Sequence, residues 1–306
     1  MNAQLEELQL KDYLKAKRRR SFIWGAGVGG LLIGAVWAIS NASSLSYPST
    51  GDHIASIRIE GPIFTDQDRQ DMIDEISERD DVKALIVNIN SPGGMVYPSY
   101  QMYESIKEIA GNMPTVAVME DYAASGGLMV AMGTPYVFAS PVTVTGSIGV
   151  IGEMQDFSGL MEKIGVGNTV FRTSDVKGGP SPFRKPTQAE IASVNKELSD
   201  TFTVFKDLVK DARDLAPAQM AQVATGDAFV GKVAMDNGLV DAMGNADDAQ
   251  AYLIAEHPEL EELDVIDWEP LYEFEQGQSL TDQFANALIK ATIGQVDALR
   301  FERAKY

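Results

Sequence analysis

The sequence predicts an α/β domain with largely parallel strands, preceded by one N-terminal transmembrane helix. Three observations carry that expectation. Strand-like and helix-like periodicities alternate from His53 to Ser140. The uncharged run Ser21 to Ser40 has the length needed to span ~30 Å of hydrocarbon. A content of 45% apolar and 23% charged residues over 306 positions is that of a globular chain, long enough for one large domain or two.

Taken in order, residues 1–20 form a basic tail with a surplus of three positive charges, ending in Lys15-Ala16-Lys17-Arg18-Arg19-Arg20. Basic residues flanking an apolar run stay on the cytoplasmic side, so residues 21–40 are expected as a single-pass anchor with the rest of the chain exported. Trp24 and Trp37 fall at the two expected interfaces. A cleaved signal peptide ending near Ala38-Ile39-Ser40 is the competing reading, and the length of the apolar run favours the anchor. Residues 41–52, rich in Ser, Pro and Asn, read as a linker. His53 to Gly61 alternates with period two, as a strand does. Thr65 to Arg79 places Met72, Ile73 and Ile76 on one helical face behind a Thr65/Asp68 cap, and Ala84 to Asn90 is an apolar strand. A helix over Pro98 to Ala110, a strand over Thr115 to Met119, a short buried helix over Ser125 to Met132 and a strand over Tyr136 to Ser140 repeat the order. Thr187-x-x-Glu190 then opens a long amphipathic helix with Ile191, Val194, Leu198, Phe202, Phe205 and Leu208 on one side. Residues 53–250 are expected as the functional domain. Residues 251–306 are expected as an acidic, then amphipathic, extension that either packs on its own domain or joins copies.

The inventory excludes several chemistries. A net charge of −19 argues against nucleic acid as a partner, because a phosphate backbone needs broad Lys/Arg neutralisation. With no cysteine there is no disulfide framework, thiolate nucleophile or cysteine metal site, and two histidines, His53 and His257, make a multi-histidine metal centre untenable. Neither a cofactor nor a metal is expected, and catalysis falls to carboxylates, hydroxyls, lysines or backbone amides.

Ligands in open α/β sheets collect at the carboxyl ends of strands. Two glycine pairs occupy such ends: Asn90-Ser91-Pro92-Gly93-Gly94 after one strand, and Ala123-Ala124-Ser125-Gly126-Gly127 between a strand and a helix. Adjacent glycines let backbone N–H groups turn toward a substrate oxygen, which is the outline of an oxyanion hole. Each pair taken singly also fits a plain strand-to-helix turn.

These motifs, with Thr145 to Val150 (TGSIGV), Lys177 to Phe183 and Gly238 to Asp241 (GLVD), resemble the signal peptide peptidase A family of serine proteases in its short, single-domain form. The resemblance spans roughly residues 53–250. It implies the Clp protease/crotonase-like fold with repeated β-β-α units, Ser125 as nucleophile, Lys177 as general base, Ser147 as the residue that orients the lysine, and Gly94 and Gly126 as oxyanion donors. It further implies peptide substrates such as remnant signal peptides, a place in the bacterial inner membrane with the catalytic domain outside the cytoplasm, and a homo-oligomer such as an octamer. Thr173-Ser174 and Gly178 depart from the family pattern around the lysine.

The inventory agrees with a lysine base. A lysine serves only when neutral, which requires lowering its pKa from ~10.4 to about 7–8. Lys177 has the compact, uncharged neighbours Val176, Gly178, Gly179 and Pro180, whereas Lys107, Lys163, Lys196, Lys206 and Lys210 lie beside acidic residues in helical patterns. Asp175 counts against it: in an extended backbone it would share a face with Lys177 and favour the charged form. A crotonase-like acyl-CoA enzyme and an inactive membrane scaffold of the same fold are the alternatives.

Overall fold

The structure is a computed structural model that describes residues 51–270; the predicted anchor at residues 21–40 lies outside the described residues. Among the described residues, no helix is long and apolar enough to cross a membrane. The strands are β1 (His53–Glu60), β2 (Val82–Ser91), β3 (Thr115–Ala124), β4 (Tyr136–Ala139), β5 (Val144–Gly146), β6 (Ala228–Val230), β7 (Ala242–Met243) and β8 (Val265–Trp268). Between them run α1 (Gln67–Glu78), α2 (Val96–Ala110), α3 (Gly126–Ala131), α4 (Ser158–Lys163), α5 (Gln188–Arg213), α6 (Pro217–Val223), α7 (Gly231–Asp236) and α8 (Ala246–Glu256). One mixed sheet has the order β6-β5-β3-β2-β1-β8, with β4 and β7 branching from β3. Every pairing is parallel except β5 with β6.

Parallel strands covered on both faces are apolar throughout rather than alternating. That is why the first five residues of β1 are all buried and alternation emerges only at its carboxyl end. Ile54, Ala84, Ile86, Val116 and Val118 face α8, which contributes Ala249 and Leu253. Helices α1 and α2 pack on each other, α1 burying Met72, Ile73 and Ile76 and α2 burying Met102, Tyr103, Ile106 and Ile109. The cap of α1 is Asp66, which accepts from the Arg69 N–H at 3.0 Å, rather than the Thr65/Asp68 pair that the sequence pattern offered.

Strand β3 runs on beyond Met119. It pairs with β4 through Val116–Met119 and with β5 through Tyr122–Ala124, and opposite β2 its register jumps between Met119 and Ala123. The extra residues form a bulge, a device that bends a strand and re-aims the chain beyond it. Asn90 Oδ1 accepts from the Tyr122 N–H there at 3.3 Å. In place of repeated β-β-α units, the described order alternates β and α as far as β4, because β3 passes through its bulge as one strand.

Of residues 251–268, Val265–Trp268 joins the same sheet. Strand β8 pairs with β1, and the Trp268 indole N–H donates to His53 Nε2 at 3.1 Å. An indole only donates, so His53 Nε2 is the acceptor and its Nδ1 carries the proton toward the Gly51 carbonyl at 2.8 Å. His53 therefore has a structural partner at the amino end of the sheet, away from the glycine loops.

Candidate active site

The two glycine loops meet. A Cβ on Gly93 would lie 2.5 Å from the Gly126 nitrogen and 2.9 Å from Ser125 Cβ, so only glycine lets these turns nest. Gly93 has φ of 94°, which glycine adopts without penalty, and its N–H is held by the buried Ser91 Oγ at 3.1 Å, giving Ser91 the turn-forming role its position suggests. Gly94 is bridged to Ile63, and a Cβ on it would collide with the Ile63 carbonyl. Gly94→Ala is expected to destabilise by about 1–3 kcal/mol through overpacking. At 2–4 °C per kcal/mol for a domain of this size, the Tm should fall by roughly 5 °C in calorimetry, and an unchanged Tm would contradict the close approach.

Ser125 stands at the turn from β3 into α3 with φ 53° and ψ −116°, a backbone region that costs a non-glycine residue of order 1–3 kcal/mol. The strain has visible supports. The Ser125 N–H donates to the Gly146 carbonyl at 2.9 Å, and the neighbouring loops leave no room to relax. Ser147 follows β5 directly, also at positive φ (51°), with its N–H bound to the Asp227 carbonyl at 2.7 Å. Ala124 pairs with Gly146 in register, so the two serines leave adjacent parallel strands side by side.

Gly94, Ser125 and Ser147 line one cleft of about 780 Å³. Its remaining wall is largely apolar: Ile148, Val150, Leu198, Phe202 and Ala224. Sequence reading did not foresee that α5 supplies this wall. The helix buries Phe205, Leu208 and Val209 in its carboxyl half, whereas Ile191 near its start is exposed. Neither histidine lines this cleft among the described residues, and no group of residues there could hold a metal ion.

Lys177 is not among the cleft-lining residues. It sits exposed on the stretch 151–186, where Ile151 and Phe171 are 90% and 95% exposed. The structure thus brings Ser125, Ser147 and Gly94 onto one cleft with Gly126 packed against Gly93 and Gly94, and Lys177 is not one of the residues that line it. Around Lys177 the backbone turns, with its N–H bound to the Ser174 carbonyl at 3.3 Å and the Gly179 N–H to the Val176 carbonyl at 3.1 Å. Asp175 and Lys177 therefore do not share the face that an extended strand would give them.

The base of that stretch is tied to Glu190. The expected capping box is present: Glu190 N–H donates to Thr187 Oγ1 at 3.2 Å and the Thr187 N–H to Glu190 Oε2 at 2.9 Å. The same carboxylate also receives Arg172 and Arg184. Arg184 first, then the Thr187 N–H and Arg172, hold the Glu190 carboxyl far below its ordinary 4.5. A carboxyl depressed in the folded state stabilises above its unfolded pKa and loses that contribution only as pH falls through the folded value. Glu190 thus stays ionised throughout the neutral range.

A strained serine between a strand and a helix, set against nested glycine loops on an α/β sheet, defines a serine hydrolase. The family model described as peptidase family S49 matches residues 107–259, half of the chain, and one described as Clp protease matches residues 55–145. A Synechocystis sp. protein classed as a protease is 34% identical over 224 residues, 72% of this chain and 80% of that one. The chloroplastic serine protease SPPA of Arabidopsis thaliana is 33% identical across 61% of this chain and 29% of its own length, and protease 4 of Salmonella typhi is 34% identical across 56% and 28%. Among solved structures, a membrane-bound stomatin-specific protease is similar with a TM-score of 0.47 at 14% identity, covering 72% of this chain and 99% of that one. The chain belongs to peptidase family S49 and is a serine protease.

Proposed function

We propose that the chain is a membrane-anchored endopeptidase in which Ser125 and Lys177 form the catalytic dyad. The observation that carries this reading is the strained Ser125 turn nested on Gly93 and Gly94. Ser125 Oγ attacks the peptide carbonyl carbon as its proton passes to neutral Lys177 Nζ; the oxyanion takes the N–H groups of Gly94 and Gly126, and Ser147 orients the lysine. Collapse expels the amine with the lysine's proton, leaving an acyl-enzyme that water then hydrolyses. The apolar wall of the cleft suits apolar side chains, as remnant signal peptides carry.

Packing of the stretch 151–186 over a cleft would bring Lys177 to Ser125. The stretch's exposed Ile164, Val170 and Phe171 are apolar surface that such packing would cover, and packing over the cleft of a neighbouring copy would make a homo-oligomer the working form. Residues 21–40 anchor the enzyme in the bacterial inner membrane with the catalytic domain on the outer face. Residues 1–20 are the cytoplasmic tail and 41–52 the linker, and the amphipathic part of 251–306 contacts neighbouring copies. In the test, full-length chain is recovered from membranes, extracted in detergent and treated with a fluorophosphonate. Stoichiometric label on Ser125 with matching loss of cleavage of an apolar fluorogenic peptide is expected. Active protein without label on Ser125 would refute the assignment, and an inert, unlabelled oligomer would make the chain a scaffold.

A further inference from the structure

The stretch that carries Lys177 is bracketed by Arg172 and Arg184, and both reach one buried carboxylate. The Glu190 side chain is 0% exposed. Arg172 Nη1 donates to Glu190 Oε1 at 2.8 Å and, at 2.9 Å, to the carbonyl of Asp175 within the turn. Arg184 Nη1 donates to Glu190 Oε2 at 2.8 Å, and its Nη2 donates to Oε1. Gly179, two residues beyond Lys177, lies so close that a Cβ there would meet Glu190 Cδ at 2.5 Å and collide with Oε1. A helix cap needs only the bond from the Thr187 N–H. Here both carboxylate oxygens take a cation as well, and the two cations are those flanking the lysine turn.

We propose that Glu190 is a positioning residue for catalysis: held in the capped first turn of α5, it clasps both ends of the 172–184 stretch and so sets where Lys177 Nζ can go. This rests on the reading of Lys177 as general base. The chemistry makes the clasp consequential, because a base must come within hydrogen-bond reach of the proton it takes, and a misplacement of about 1 Å costs on the order of 100-fold. Neutralising Glu190 leaves Arg172 and Arg184 facing each other without their anion, and they would push the two ends of the stretch apart.

Glu190→Gln, made in the full-length chain and assayed as the detergent-extracted protein, is expected to keep its circular dichroism and oligomer size. Its kcat should fall about 100-fold with KM within a few-fold, and the acid limb of its kcat/KM profile should move. Such a movement near neutrality reports the base, since Glu190 itself stays ionised there. Gly179→Ala presses on the same contact from the loop side with every charge intact, and it should give the same signature; it decides the matter alone if Glu190→Gln fails to fold. Lys177→Ala runs alongside. Folded Glu190→Gln or Gly179→Ala with wild-type kcat and pH limb, while Lys177→Ala is inactive, overturns the clasp and leaves the base assignment standing. A loss of kcat that tracks a lower fluorophosphonate stoichiometry, with the pH limb unmoved, reduces Glu190 to a fold-stabilising residue and equally overturns it. Wild-type activity in Lys177→Ala refutes the base assignment and the clasp with it.

Discussion

Ser125→Ala is expected to lower kcat/KM for an apolar fluorogenic peptide by about 10⁴-fold or more, the scale seen when a hydrolase loses its nucleophile but keeps its oxyanion donors. Folding should not suffer. Alanine retains the Cβ and inherits the same positive φ (53°), held by the same bond to the Gly146 carbonyl and the same nested glycines, so its Tm should match that of the parent. Activity within tenfold of wild type would assign the chemistry to another hydroxyl, with Ser147, at the end of the adjacent strand, the first to examine.

The second large effect is at Lys177. Lys177→Ala should reduce kcat/KM at pH 7–8 by about 10²–10⁴-fold, the usual contribution of a positioned base. Lys177→Arg should not restore it, since a guanidinium stays protonated throughout that range. Both variants should fold normally, because the side chain is exposed and fills no part of the core. Undiminished cleavage by either variant would remove Lys177 from the mechanism. Mixing Ser125→Ala with Lys177→Ala protein asks where the lysine comes from. Recovered activity means that a neighbouring copy supplies it, and persistent inactivity means that each chain folds its own stretch 151–186 over its own cleft.

Much of the central sheet was legible in the sequence because its signals are local. Strands β1 to β4 and helices α1 to α3 track apolar runs punctuated by glycine and proline, and the nesting of Gly93 against Ser125 results from the two strand ends being neighbours. The elements that escaped are short or non-local. Strands β5, β6 and β7 are only two or three residues each and carry no period to read. Strand β8 hid in an acidic stretch, Val265–Trp268 among Glu and Asp, and owes its place to β1, far earlier in the chain. The apolar stripe of α5 announced burial along its whole length, but the described residues cover only its carboxyl half; its middle borders the cleft through Leu198 and Phe202. Glu190 was visible as the third residue of a capping box. Its second task depends on arginines that no local pattern ties to it, although two arginines bracketing a candidate catalytic lysine were a signal that spacing alone could have raised.

The positive φ values of Ser125 and Ser147 also bear on the history of the chain. Glycine would relieve both positions, trading of order 1–3 kcal/mol of strain for a smaller entropic cost of about 0.5–1 kcal/mol. A lineage that kept only the scaffold would gain stability by drifting to glycine at either site, and random substitution offers that step through a single base change from some serine codons. If the two hydroxyl groups do the chemistry proposed for them, serine at these strained positions, on neighbouring strands facing one cleft, is what that function would keep in place of glycine.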